Sequence, residues 1–209
     1  MKRARIAAAA GLLVLAAGCT KRVPADLINK LPYDYRIELL EAENDFALAI
    51  DRLDEAQAEI LHTRDTLRRA KERLSAAESE TGRAETKASQ EVATLAVDEA
   101  DARVAFLRAR QAVNVKTEGV QKKSLRCAEA RFEQARMVVA RKAKVEGSES
   151  LRPEEFDAQV KECDADVAEL KAEMKEQNDD AAAAKDAWEK HKTALARKTF
   201  DARASPYVE

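Results

Sequence analysis

Apolar residues recur along residues 39–88 at alternating spacings of three and four. One column is bulky and the other is almost entirely alanine: Leu39, Phe46, Leu53, Ile60, Leu67 and Leu74 alternate with Ala42, Ala49, Ala56, Thr63, Ala70 and Ala77. This spacing puts both columns on one narrow face of an α-helix, which is the pattern of a coiled-coil seam. The small column lets a partner helix approach closely. We therefore expect an all-α fold, an elongated antiparallel coiled coil.

Two breaks in this pattern predict three helices, over about residues 35–81, 83–145 and 153–199. Gly82 marks the first break, and Gly147 followed by Pro153 marks the second. The middle segment is apolar on two faces, as a helix with a neighbour on each side is. An up-down-up three-helix bundle is the preferred arrangement, and one long two-helix hairpin is the alternative.

Charged residues occur in blocks that also favour three helices. Residues 108–144 contain 11 basic and 3 acidic side chains, whereas residues 146–180 contain 13 acidic and 4 basic ones. Residues 36–59 are acidic as well, with 8 acids and 2 bases. Antiparallel folding sets both acidic segments against the basic one, and such flanking charges select register and direction. Contact of the basic block with anionic lipid headgroups or an acidic partner is an alternative use.

The composition argues for a thin core spread along the seam. Of the 209 residues 45% are hydrophobic, but only 4% are aromatic and 36% are charged. Much of the hydrophobic share is alanine, which is typical of long helices rather than of a globule with a pocket.

The first 18 residues have the features of a secretory signal. Lys2, Arg3 and Arg5 form a basic start, and a short apolar run over residues 6–17 follows. That run is too short to span a bilayer as a stable helix. Removal of the signal leaves 34 basic against 39 acidic residues, a net charge of −5. This mild acidity argues against nucleic acid as a partner.

The sequence Leu15-Ala16-Ala17-Gly18-Cys19 resembles the lipobox of bacterial lipoproteins, with Ala16 where that family more often has Leu. The resemblance covers only the first 19 residues. It implies cleavage between Gly18 and Cys19, with lipid on the sulfur and the new amino group of Cys19. Several acyl chains on one residue would give stable anchoring. Because Thr20 rather than Asp follows, the resemblance also implies an outer-membrane location, on the periplasmic side.

The rest of the chain is predicted to divide into a tether, a helical domain and a tail. Residues 19–33 hold the lipidated cysteine and an extended, proline-containing tether. Residues 34–199 form the coiled-coil domain, with Asp34 as the N-cap of the first helix. Residues 200–209 are expected to be a flexible tail.

Cys127 and Cys163 would be exported to a compartment that permits disulfides. Reversal about Ser148 or Glu149 places Cys163 opposite Ala135, roughly 12 Å along the axis from Cys127, farther than the ~7 Å that a disulfide allows. Two unpaired cysteines are therefore favoured, and a disulfide in a shifted register is the alternative.

Other candidate chemistry is sparse. His62 and His191 lack a ligand set at the spacing of a closed metal site, and His191 is predicted to lie at the edge of the core. Carboxylates on continuous helices are expected to line solvated faces, where nothing shifts their pKa values. We expect no enzyme, no metal and no cofactor apart from the covalent lipid on Cys19.

These observations together predict a lipid-anchored periplasmic protein that serves as a spacer, a scaffold or a subunit of a cell-envelope assembly. Its partners would be the membrane, through the anchor, and envelope proteins, through helical faces, and a homo-oligomer is compatible with the pattern. The alternatives are a periplasmic binding or chaperone module and an accessory regulator of a cell-wall enzyme. A covalent cell-wall tether like the small murein lipoprotein is disfavoured, because that family ends in lysine and this chain ends in Glu209.

Overall fold

The computed structural model of the protein describes residues 21–199. Two short helices, α1 (Ala25–Asn29) and α2 (Tyr33–Ile37), precede the long helices α3 (Leu40–Thr81) and α4 (Lys87–Lys142). A 3-10 turn (Ser148–Ser150) leads into the last helix, α5 (Pro153–Thr199). The described residues contain no strand, so the all-α prediction is confirmed.

Helix α4 is the middle member of an up-down-up bundle, with α3 and α5 packed along it. Its 56 residues span about 84 Å at 1.5 Å per residue. The small column of α3 is buried where it meets α4, at Ala49, Ala56, Thr63 and Ala70. The preferred three-helix arrangement is therefore correct, and the two-helix hairpin is not observed.

The far end of the bundle is the turn between α3 and α4. The start of α4 is marked by a capping box, and Gly82 does not adopt the left-handed conformation expected of a glycine at a tight turn. Thr86 Oγ1 accepts a hydrogen bond from the backbone N–H of Ser89, and Ser89 Oγ accepts one from the backbone N–H of Thr86. Gly82 keeps a right-handed φ of −70°. Helix α4 thus starts at Lys87, four residues later than predicted.

The near end of the bundle is the connection between α4 and α5. Lys144 adopts a left-handed φ of 54°. Its backbone N–H donates to the carbonyl of Arg141, and the N–H of Val145 donates to the carbonyl of Ala140. This pair of bonds is a Schellman motif, which ends the helix before Gly147 is reached. Gly147 has a φ of 91°, and a Cβ there would lie 3.3 Å from Leu27 Cδ2.

The segment predicted as an extended tether is instead folded against the near end, so that prediction is wrong. Val23, Leu27 and Leu31 are buried in one cluster with residues of α4 and α5, among them Met137 and Phe156. The four-residue spacing of the first three puts one apolar face on the α1 region, and burial of that face outweighs the extended preference of the flanking prolines. Asp34 is not the N-cap of the long helix, because it lies inside α2.

The predicted pairing of charge blocks is confirmed. Basic side chains of α4 form ion pairs with α5 and with the segment that includes α2 and α3: Lys116–Glu173, Lys123–Asp166, Arg131–Asp164, Arg110–Glu59 and Lys142–Glu38. These side chains are about half exposed, so each pair contributes less than about 1 kcal/mol. Their combined role is to fix the direction and register of three long helices.

Candidate functional site

The lipobox residues Gly18 and Cys19 lie outside the described residues, which begin two positions later at Lys21. Lys21 Nζ pairs with Glu155 of α5 at 3.0 Å, and Arg22 pairs with Glu129 of α4 at 2.7 Å. The backbone N–H of Val23 donates to Glu133 Oε2, also at 2.7 Å. The first described residues are therefore bound directly to both α4 and α5.

Glu133 is the buried acceptor that holds this segment. It is almost completely buried on α4, and its second oxygen accepts a hydrogen bond from Arg136 at 2.7 Å. A buried carboxylate is costly unless it is hydrogen-bonded, so the N–H of Val23 and the guanidinium of Arg136 together account for its placement. The expectation that carboxylates line only solvated faces is wrong at this position.

Cys127 and Cys163 form a disulfide between α4 and α5, with their Cα atoms 5.5 Å apart. The favoured prediction of two unpaired cysteines is therefore wrong, and the alternative in a shifted register is correct. Residues 127 and 163 are equidistant from residue 145, so the reversal is centred there rather than at Ser148 or Glu149.

Towards the far end, a second buried carboxylate belongs to a polar cluster. Trp188 Nε1 donates to Glu99 Oε1 at 2.6 Å, and the indole stacks on Phe106 with ring centroids 5.5 Å apart. The Arg103 guanidinium lies over the indole, 5.2 Å from its centroid. Burial raises the pKa of Glu99, and the hydrogen bond from Trp188 and the charge of Arg103 oppose that rise.

This polar cluster has little room for a ligand. The cavity beside it is about 30 Å³ and is lined in part by Thr63, Arg103 and Trp188. That volume suits about two water molecules rather than an organic substrate. Thr63 accepts a hydrogen bond from Asn114 at 2.8 Å, so the polar residue in the small column of α3 is satisfied across the helix interface.

A larger groove runs between α3 and α5 along one side of α4, with a volume of about 740 Å³. Its floor is small and apolar, with Ala49 and Ala128, and Leu48 and Val167 line its sides. Charged side chains line it as well: Asp45, Arg52, Arg131, Asp164 and Lys171. The seam pattern alone did not predict this groove.

The two histidines do not come together. His62 and His191 are both exposed, so the predicted core-edge position of His191 is wrong. Within residues 21–199 no group of three potential ligands is placed to hold a metal ion. Across the same residues, no helix combines the length and apolar character needed to cross a membrane.

Sequence reasoning missed Glu99, Glu133 and the groove. A weak signal existed for the first, because Glu99 and Arg103 are four residues apart on one face of a helix that also carries Phe106. Nothing in the pattern marks Glu133, whose burial depends on the N-terminal segment. Comparisons with protein families, with characterised proteins and with solved structures each found no match to this chain.

Proposed function

We propose that this chain is a lipid-anchored protein of the bacterial cell envelope, acylated at Cys19, which acts as a scaffold, a spacer or a subunit of an envelope assembly. The proposal assigns it to the periplasmic side of the outer membrane, as the lipobox resemblance and Thr20 imply. In this role the protein would bind its partners through helical faces, and no catalytic activity is proposed.

The observation that carries the proposal is the way the chain is held immediately after Cys19. Only Thr20 separates Cys19 from Lys21, and residues 21–23 are bound to α4 and α5 by two ion pairs and a buried hydrogen bond. A lipid on Cys19 would therefore hold the bundle itself rather than the end of a loose linker. A rod of about 84 Å along α4, fixed in this way, supports a mechanical role.

Acylation is tested directly by expressing the full chain in a Gram-negative host and isolating it from membranes. The expected N-terminal peptide starts at Cys19 and carries the mass of a diacylglyceryl group and an amide-linked acyl chain. Cys19→Ser should lose this mass and leave the membrane fraction. The matched control, Cys127→Ser with Cys163→Ser, should keep both. An unmodified, soluble wild-type chain would contradict the proposal.

The groove between α3 and α5 supports a second candidate, a periplasmic binding module. Its volume of about 740 Å³ falls in the range of small-molecule sites. Binding of an apolar fluorescent dye to the purified protein should then be weakened by Ala168→Trp, which fills the groove, and not by Ala105→Trp on another face of α4. Equal dye binding by the two variants would exclude this candidate.

A further inference from the structure

The groove between α3 and α5 has two charged walls that stand apart. Both helices pack along α4 and hardly contact each other. Six exposed charged side chains lie along the rims: Asp45, Arg52 and Glu55 on α3, and Lys161, Asp164 and Lys171 on α5. Four of them line the groove directly, and Glu55 and Lys161 continue its rims, because each is two helical turns from a residue that lines it. We call this surface, with the groove itself, the groove face.

The charges alternate in opposite order on the two walls. Along α3 the order is acid, base, acid, and along α5 it is base, acid, base. Asp164 pairs with Arg131 of α4, whereas the other five make no ion pair within residues 21–199. Each wall therefore presents charges whose partners the described part of the chain does not supply.

The two patterns also lie at the same height along the rod. Phe46 of α3 stacks on Phe132 of α4, with ring centroids 6.0 Å apart. The disulfide sets residue 132 opposite residue 158 of α5, because each is five residues from one of its cysteines. Residues 46 and 158 are therefore level. Since α3 and α5 run in the same direction, the same offset applies along both walls.

This offset matches each charge of α3 with an opposite charge of α5. Arg52 is level with Asp164. Asp45 and Glu55 differ in height from Lys161 and Lys171 by about 6 Å each, which is about one helical turn. Long side chains can span such a difference in height. Within one chain, however, the groove keeps the two walls apart.

A twofold axis parallel to the rods would bring these walls together between two copies. The rotation keeps every height, so α3 of each copy lies against α5 of the other, and every contact occurs twice. An antiparallel pair would instead set α3 on α3, where the acids outnumber the base, and α5 on α5, where the bases outnumber the acid. The charges of the groove face therefore select the parallel arrangement.

Apolar surface on the same face would be covered by this contact. Leu48, on the α3 rim, is 41% exposed, and Ala168 is exposed on the α5 rim. Joining the rims removes both from water, which adds an attraction that exposed charges alone do not supply. The two grooves would then face each other and enclose one channel above Ala49 and Ala128.

The N-terminal segment leaves the groove face free. It binds Glu133 of α4 and Gln159 of α5, and each of these is five residues, or about 140° around its helix, from a residue that lines the groove. In a parallel dimer both segments lie at the near end, on the outer surfaces. Two anchored chains could thus enter the same leaflet, whereas antiparallel rods would carry their segments at opposite ends.

We propose that the groove face is the self-association surface of this protein and that its occupant is a second copy of the chain. The two rods lie parallel, with each α3 against the α5 of the other copy. The side chains that pair across the contact are Asp45 with Lys161, Arg52 with Asp164, and Glu55 with Lys171. The inference goes beyond the proposed function and rests on α3 and α5, not on the acylation of Cys19.

The test measures protein mass by sedimentation equilibrium of the full chain, purified from membranes in a density-matched neutral detergent. Wild type should have the mass of two chains. Glu55→Lys sets a lysine against Lys171 of the other copy at two symmetric positions and should weaken association at least about tenfold, and so should Lys171→Glu. The matched control is Asp54→Lys, the same charge reversal on a side of α3 turned away from the groove, and it should keep the wild-type mass.

Mixing the two weakened variants tests the arrangement itself. In a mixed dimer, the α3 of Glu55→Lys meets the α5 of Lys171→Glu with opposite charges, and the other two walls keep the wild-type pair. The mixture should therefore form dimers with an affinity within about threefold of wild type. A mixture that stays as dissociated as its components would overturn the pairing of α3 with α5.

The remaining outcomes separate this inference from the proposed function. A wild-type chain with the mass of one chain overturns the self-association and leaves the acylation untouched. Dissociation by Asp54→Lys equal to that by Glu55→Lys also overturns the inference, because the contact would then not be on the groove face. An unmodified Cys19 overturns the proposed function and leaves the dimer, whose mass is measured independently of any lipid.

Discussion

The two ends of the bundle each bury a glutamate of α4, and they do so by different means. At the near end, Glu133 receives a backbone N–H from Val23 and lies beside an apolar cluster that includes Phe156. At the far end, Glu99 receives the indole N–H of Trp188, under the guanidinium of Arg103. One carboxylate binds a segment to the rod, and the other joins two helices.

This difference indicates that the ends have different mechanical properties. The near end is fastened by a disulfide, an apolar cluster and the N-terminal segment, so it is suited to bear an attachment. The far end has a smaller apolar cluster around Leu67 and Val104 and a polar network. We expect the free energy of unfolding to depend mainly on near-end residues.

The largest effect is expected from Phe156→Ala, which opens the near-end cluster. Phe156 is 3% exposed, and removing a buried phenyl ring typically costs about 3–5 kcal/mol of unfolding free energy. Urea denaturation followed by circular dichroism measures this loss. Tyr33→Ala removes an exposed ring at the same end and should leave the midpoint nearly unchanged. Similar midpoints for the two variants would contradict the assigned core.

The disulfide gives the next largest effect. Cys127 and Cys163 are 36 residues apart in the sequence, and a loop of that length corresponds to about 3–4 kcal/mol in the chain-entropy account. Cys127→Ser with Cys163→Ser should lower the unfolding free energy by that order. Hydrogen exchange should locate the lost protection at the near end, with Trp188 fluorescence unchanged. Free thiols in the exported wild-type protein would refute the crosslink.

Leu27→Ala tests whether the N-terminal segment is part of the near end. We expect a loss of about 2 kcal/mol, at the low end for a buried leucine because the segment can detach without unfolding the helices. Proteolysis after Lys21 or Arg22 should become faster in this variant. Leu40→Ala, at an exposed position, is the control, and equal cleavage rates in both would mean that the segment is not docked.

The sequence predicts the helices of this fold better than the connections between them. The small column at Ala49, Ala56 and Ala70 identifies the packed face, because residues at helical spacing lie on the same side of a helix. The connection between α4 and α5 begins at Lys144 in a left-handed conformation, which lysine rarely adopts and no pattern indicates. A shift of a few residues there moved Cys163 from Ala135 to Cys127.

The candidate sites were less predictable for a related reason. Heptad spacing describes contacts between long helices, but Glu133 bonds to a short segment that the sequence predicts to be an extended tether. The groove depends on the distance between α3 and α5 on either side of α4. The residue pattern of a single helix does not determine that distance. Cys19 is the opposite case, because its interpretation is local and needs no tertiary structure.

The smallest effect, and the one that most sharpens the comparison of the two ends, is the pH dependence set by Glu99. Burial raises the pKa of Glu99, so over the window above the usual glutamate pKa the folded chain holds a proton that the unfolded chain has lost. The unfolding free energy should therefore fall as the pH rises through that window. Glu99→Gln keeps an oxygen acceptor for Trp188 Nε1 and removes the titration.

The expected result is that Glu99→Gln gains stability relative to wild type between about pH 4 and pH 7, by an amount on the order of 1 kcal/mol. Glu118→Gln is the control with the opposite sign. Lys122 holds the pKa of Glu118 below its usual value, so wild type loses that stabilisation as the pH falls, and the variant does not. Urea midpoints of the three proteins across this range decide the matter. If Glu99→Gln and wild type keep a constant difference across this range, the charge of Glu99 is already compensated in the folded chain.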